Sequence, residues 1–318
     1  MNIGIMGAGS IAKVMAQTLN KMKEVNLYAI GSRTIEKAQE FAKDYHVPKA
    51  YGSYEELVAD EAIDLIYVAT PHSHHYDNMK LCIEHGKHVL CEKAFTYNKK
   101  QAEEIKALAT EKRIYVAEAI WTRYMPSREM IQDIIASGII GDIRTVTCNL
   151  AYPISHVERI IRPELAGGAL LDVGVYGLNF IIMHLGKDFA KLESSVMMTE
   201  TGVDGQESIT FHYSDGKMAV TTHSIYGRSD RRGIFYGEKG YIIVDNINNP
   251  QKIEVFDTED SLMKKYKVPK QISGYEYEVL ESMEMIRRGE IESKSMPLSE
   301  SVYMMGLMDD LRRQWNLM

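Results

Sequence analysis

The chain has 318 residues, enough for two domains with cores of their own. Its 45% hydrophobic and 25% charged residues are those of a globular protein, and a net charge of −7 without a basic stripe argues against a nucleic-acid partner. No apolar run reaches the roughly 18 residues of a membrane span, and the chain enters a strand at residue 2, so no secretory leader is expected.

Residues 2–6 read as a short apolar strand. Gly7-Ala8-Gly9-Ser10-Ile11-Ala12 follows at once, and residues 13–19 read as a helix. The form is G-x-G-x-x-A between strand and helix. Gly7 allows the tight turn, Gly9 lets a pyrophosphate approach the backbone, and Ala12 lets the helix pack closely on the strand. The first N–H groups of such a helix lack internal partners and favour an anion. The spacing predicts dinucleotide binding; an ordinary strand–helix turn is the plainer alternative.

A second strand over 25–30 ends at Gly31-Ser32-Arg33, and Thr34 caps a helix over 35–45. A site for NAD would carry an Asp or Glu at this strand end, to accept from the ribose 2′-hydroxyl. Here stand Ser32 and Arg33, with Lys37 one turn on. A hydroxyl and two cations suit a 2′-phosphate, so NADP is expected over NAD. The alternative is a solvated helix start.

Ser53 with Glu56 forms a capping box. A buried strand over 63–69 ends in Thr70-Pro71-His72-Ser73-His74-His75. The three histidines come from one loop without an acid or cysteine at ligand spacing, so capping, cofactor contact or exposure is expected and a metal is not. A strand over 88–91 carries Glu92-Lys93 at its carboxyl end. Asn98 and Gln101 open a helix to Lys112, and a strand follows over 114–118.

This alternation predicts an α/β fold with a doubly wound parallel sheet over 1–120. Gly7–Ile11, Ser32, Arg33, Thr70, Glu92, Lys93 and Glu118 would then line its ligand-binding edge. Lys93 there could stabilise an oxyanion as a carbonyl accepts hydride, or merely pair with a carboxylate.

Gly86-Lys87-His88-Val89-Leu90-Cys91-Glu92-Lys93 resembles the signature of the glucose–fructose oxidoreductase/inositol dehydrogenase (Gfo/Idh/MocA) family, and Thr70-Pro71 with His75 resembles its preceding loop. Glu118-Ala119-Ile120-Trp121-Thr122-Arg123-Tyr124, the run Gly167 to Tyr176, and Glu200-Thr201-Gly202-Val203-Asp204 look like its dimeric dihydrodiol dehydrogenase branch, which includes NADP-linked pentose and hexose dehydrogenases. The resemblance implies an N-terminal Rossmann domain and a C-terminal α+β domain with a large, mainly antiparallel, open-faced sheet. It implies cofactor contacts at Gly7, Gly9, Ser10, Ile11, Ala12, Ser32, Arg33, Lys37, Thr70, His75, Glu92, Lys93, Trp121 and Arg123. It further implies that Lys93 is the catalytic lysine and Tyr176 the proton donor. Ala94 stands where the family has a proline, often cis. Alanine favours trans, which would loosen the turn behind Lys93. His72 stands where relatives commonly have asparagine.

Beyond residue 120 a second domain, 121–318, is expected. Met130, Ile131, Ile134 and Ile135 form a helical stripe, and 143–151 alternates as a strand. Residues 159–166 break periodicity, with Arg159 and Arg162 either near the ligands or on plain surface. Residues 170–185 have helical spacing, with Asp172 and Tyr176 four apart on one face. A phenol titrates near 10, and a nearby ammonium such as Lys93 would lower it while Asp172 orients the partners; Tyr176 as a core residue is the alternative. Runs within 192–256 read as an antiparallel sheet, and two helices over 275–288 and 299–316 close the chain.

The expectation is therefore a cytoplasmic NADP-preferring oxidoreductase of a sugar, polyol or trans-dihydrodiol, with NAD possible, no metal, and a homodimer or homotetramer built through the C-terminal sheet. Cys82, Cys91 and Cys148, odd in number and without ligand spacing, suit a reducing compartment. A catalytically silent sensor of the same fold is the rival, supported only by Ala94. A protein holding NAD tightly and recycling it is a third reading.

Overall fold

The computed structural model describes all 318 residues, which cluster into two compact units, Met1–Tyr124 with Gln271–Gly306, and Met125–Lys270 with Leu307–Met318. Residues 271–306, expected with the second domain, therefore cluster with the first.

In the first unit strand and helix alternate as β1 (Asn2–Met6), α1 (Ser10–Leu19), β2 (Asn26–Gly31), α2 (Ile35–Tyr45), β3 (Lys49–Tyr51), α3 (Tyr54–Ala59), β4 (Leu65–Val68), α4 (His75–Glu84), β5 (His88–Glu92), α5 (Lys99–Lys112) and β6 (Val116–Ala119). The six strands form one parallel sheet in the order β3-β2-β1-β4-β5-β6. The order reverses beside β1, the place where open α/β sheets bind ligands. The caps read from sequence are present. Thr34 accepts from Lys37, Ser53 from Glu56 at 3.1 Å, and Asn98 from Gln101 at 3.0 Å.

The second unit contains α6 (Pro126–Ala136), β7 (Ile143–Ala151), α7 (Glu158–Ile161), α8 (Val175–Leu185) and seven further strands. These are β8 (Phe189–Met198), β9 (Asp204–Tyr213), β10 (Met218–Ser224), β11 (Gly233–Gly237), β12 (Gly240–Val244), β13 (Lys252–Phe256) and β14 (Leu262–Lys267). They make an eight-stranded sheet in the order β14-β13-β12-β11-β7-β10-β9-β8. It is antiparallel except for β7 against β10. Within β9, Glu207, Ile209 and Phe211 are buried while Gln206 and Ser208 are exposed, so one face of the strand is covered and the other open.

The segment Pro163–Leu185 is long and apolar enough to cross a membrane, yet 89% of its apolar window is buried inside the molecule. It is a core element. The continuous helix expected over 170–185 begins instead with a π turn, Leu170–Gly174, before α8. Asp172 lies within this π turn and Tyr176 in the first turn of α8.

Two helices close the chain, α9 (Glu276–Arg287) and α10 (Leu298–Gln314). Val279, Met283 and Met285 of α9 join Ile3, Ile5, Leu65 and Tyr67 in one apolar core, which is why α9 belongs with the parallel sheet.

Candidate functional site

In the first unit the site is built on the carboxyl edge of the parallel sheet. Gly7 lies at φ +102°, closed to side chains, and a Cβ there would press on the Ala69 carbonyl at 3.0 Å. A Cβ at Gly9 would meet nothing nearer than 3.9 Å, so the space above it is open to an approaching ligand. Gly9 occupies the cap position of α1. No side chain caps the helix, and no acid stands in its first turn. The N–H groups of Ser10, Ile11 and Ala12 therefore precede the first internal hydrogen bond, Lys13 N–H to Gly9 O at 3.2 Å. A pyrophosphate fits this cradle.

At the end of β2, Ser32 is buried and its N–H donates to Tyr51 O, while Arg33 and Lys37 are exposed beside it. No carboxylate occupies Gly31, Ser32 or Arg33.

Thr70 is nearly buried, and its hydroxyl accepts from Asn78 at 2.9 Å. His75 is wholly buried. Its ring nitrogens lie 2.8 Å from Ala94 O and 2.8 Å from Thr70 O. Burial depresses the imidazole to about 4, so a neutral ring donates one N–H between the two loops. His72 packs edge-on against His75. No group of three or more His, Cys, Asp or Glu side chains is placed to hold a metal.

The turn after β5 contains a cis Lys93–Ala94 peptide, where alanine had been expected to favour trans. Three neighbours hold it. His75 faces Ala94 O, Phe95 N–H donates to Glu118 at 3.2 Å, and Lys93 N–H donates to Glu92 at 3.2 Å. Glu92 also accepts from the Tyr67 hydroxyl. Burial raises Glu118 to about 7.

Trp121 stacks on Tyr275, with ring centroids 4.1 Å apart and planes at 12°. Arg123 is buried and lies 3.5 Å from Glu300. Sequence reading missed Tyr275, Glu300 and Glu278, because all three arrive from the segment assigned to the other domain.

Both oxygens of Glu278 are buried without a hydrogen-bond partner. Burial, then the charges of Glu92 and Glu276, raise this carboxyl well above its usual range. A buried acid that keeps its proton binds more protons folded than unfolded above the ordinary carboxylate pKa, so its contribution to stability falls as pH rises. Glu278→Met is therefore expected to stabilise the protein by about 1–3 kcal/mol near pH 8, with a smaller gain near pH 4.5. Chemical denaturation at the two pH values checks this, and equal gains would refute it.

In the second unit Asp172 is buried in the π turn, and Arg159 donates to it at 2.8 Å. Arg162 instead pairs with Glu158 and Glu164 at the surface. Tyr176 is 8% exposed in the first turn of α8. Beneath this helix lies a buried polar floor. Glu207 meets His223 Nδ1 at 3.0 Å, His223 Nε2 meets Thr221 at 2.7 Å, and Cys148 donates to Thr221 at 3.2 Å. Burial raises Glu207 and lowers His223 to about 3, so the pair is held uncharged.

Residues 1–119 match the family model described as an oxidoreductase family with an NAD-binding Rossmann fold, and residues 129–243 match that family's C-terminal domain. The chain is 33% identical to trans-1,2-dihydrobenzene-1,2-diol dehydrogenase of Xenopus tropicalis, over 98% of this chain and 97% of that protein. The human enzyme of that name is 32% identical over 98% and 95%.

The chain belongs to the Gfo/Idh/MocA oxidoreductase family.

Solved structures share its fold. A 3-ketoreductase from Actinomadura kijaniata in complex with NADP and TDP-benzene aligns with a TM-score of 0.89 at 22% identity, covering 98% and 97% of the two chains. An aldose–aldose oxidoreductase from Caulobacter crescentus complexed with glycerol aligns at 0.88 and 19%, covering 98% and 96%. As a Gfo/Idh/MocA member the chain is an NAD(P)-dependent oxidoreductase acting on CH–OH groups. The glycine cradle and the uncapped start of α1 are the parts of the first unit whose geometry fits the cofactor's pyrophosphate.

Proposed function

We propose that this chain oxidises a CH–OH group, or in reverse reduces a C=O group, of a sugar, polyol or trans-dihydrodiol, with NADP preferred. The carrying observation is the β2 end. Ser32 sits buried where NAD enzymes place an acid, and the exposed Arg33 and Lys37 supply two cations for a 2′-phosphate. The dihydrodiol dehydrogenases that match over nearly the whole chain support the substrate class.

Gly7, Gly9, Ser10, Ile11 and Ala12 would hold the pyrophosphate. Thr70, Glu92 and Trp121 would shape the nicotinamide end, with His75 and Arg123 fixing its walls through their partners Thr70, Ala94 and Glu300. The bound nicotinamide supplies hydride transfer. Lys93 offers an ammonium to the substrate oxygen, Tyr176 gives or takes the hydroxyl proton, and Asp172 orients that machinery.

A panel of aldoses, polyols and trans-1,2-dihydrobenzene-1,2-diol, read by absorbance of NADPH, tests the proposal. Rapid oxidation of any member also excludes a silent sensor. No turnover on the whole panel in either direction would count against the proposal.

Arg33→Ala is expected to lower the NADP-over-NAD preference about 10–100-fold, the worth of one charge-assisted hydrogen bond. An unchanged ratio in steady-state kinetics would refute the role of Arg33. Self-association through the open face of the eight-stranded sheet and a cytoplasmic location are part of the same reading. They are supported by exposed Met197 and Tyr236 and by three free buried cysteines.

A further inference from the structure

Glu200-Thr201-Gly202-Val203-Asp204 has no place in the mechanism above, yet its last residue is bound to the helix that carries Tyr176. The turn is held by its own bonds. Thr199 N–H donates to Val203 O at 2.8 Å, the Thr199 hydroxyl donates to the same oxygen at 2.9 Å, and Gly202 takes φ +87°. It delivers Asp204, 4% exposed, to the start of β9. There Asp204 Oδ2 accepts from Leu170 N–H at 2.5 Å. Leu170 opens the π turn, so this N–H is one that the helix cannot satisfy by itself.

The opposite wall is Gly168, at φ +115°, where a Cβ would strike the Asp204 carboxylate. The Gly167-Gly168-Ala169 run and the Thr199–Asp204 turn are thus two halves of one joint. Below the joint, a Cβ at Gly174 would lie 2.7 Å from Glu207 Oε1, so the far end of the π turn packs closely over the polar floor.

We infer that Asp204 is a positioning residue, whose carboxylate caps the π turn and so fixes where Asp172 and Tyr176 stand. The π turn is wider than the regular helix α8 that continues it, so its own register is set at its ends, and such turns recur at functional sites. The hydrogen bond at its first N–H holds one end, and close packing at Gly174 confines the other. The inference rests on the role given to Tyr176.

The test compares Asp204→Ala with Asp204→Asn by hydrogen–deuterium exchange of the peptide covering 168–178, without ligand. It adds steady-state kinetics with NADP and either trans-1,2-dihydrobenzene-1,2-diol or D-xylose. Asp204→Ala should speed exchange in 168–178 at least tenfold and cut kcat 10–100-fold, leaving KM for NADP within threefold. Asp204→Asn keeps an acceptor oxygen in place and should recover protection and most of kcat. If Asp204→Ala does not fold, Asp204→Asn and Asp204→Leu are compared in its place; they differ in the same acceptor. Unchanged exchange in 168–178, or equal turnover of the acceptor-bearing and acceptor-free variants, would overturn the inference. Failure of the catalytic reading appears separately, as an active Tyr176→Phe enzyme.

Discussion

Lys93→Met should lose about 10²–10³-fold in kcat, the usual worth of a donor aimed at a developing oxyanion, and Tyr176→Phe about 10²–10⁴-fold, that of a positioned proton-transfer group, while NADPH binding stays within a few-fold of wild type. Lys93 follows β5 in a turn whose bonds are made by the main chain and by His75, Glu92 and Glu118. Trimming its ammonium therefore leaves the turn its supports. Tyr176 is nearly buried in α8, and phenylalanine keeps its ring volume while deleting only the hydroxyl. Single-turnover absorbance gives the chemical rate, and quenching of tryptophan fluorescence gives the cofactor affinity. A loss confined to KM would assign Lys93 to ground-state binding. Near-normal turnover of both variants would remove the proposed chemistry.

Much of this site was legible because its signals are local. The Gly7–Ala12 run states turn, close approach and helix start within six residues, and the structure shows Gly9 in the cap position of α1. The start of α2 followed from its Thr34 cap and the bounds of β7 from alternation, signals that need no distant partner. The edge strands β3 and β14 escaped notice for the same reason. β3 has three residues, none buried, and β14 reads Leu-Met-Lys-Lys-Tyr-Lys with five of six exposed, so neither carries an apolar alternation.

The π turn was equally hidden. Leu170–Phe180 is apolar almost all round, and a run buried on every side does not betray its pitch. Tyr275 against Trp121, Glu300 against Arg123, and Asp204 against Leu170 are joined only by folding. None of these pairings shows in the local sequence of either residue. Ala94 misled in the other direction. Propensity argued from one residue, while the turn is held by bonds from β5, β6 and α4.

Gly177→Ala should destabilise the protein by about 3 kcal/mol or more, at the upper end for overpacking a full core. Helix propensity alone predicts the opposite sign, because alanine in a helix interior is favoured over glycine by about 1 kcal/mol. Surroundings decide the contest. A Cβ at Gly177 would overlap His223 Nε2 and Thr221 Oγ1, two fully buried groups bonded to each other at 2.7 Å. Neither can retreat. His223 is fixed on its other side by Glu207, and Thr221 also receives Cys148. The new methyl must break a hydrogen bond in a dry interior or push α8 away from the sheet. Either response falls on the residue after Tyr176, so the variant should lose turnover along with stability. Gly227→Ala is the matched control. Nothing lies within 4 Å of its added Cβ, and a change within about 0.5 kcal/mol is expected there. Urea unfolding of both variants measures the difference, and a Gly177→Ala protein as stable as wild type would show that the floor beneath α8 can yield.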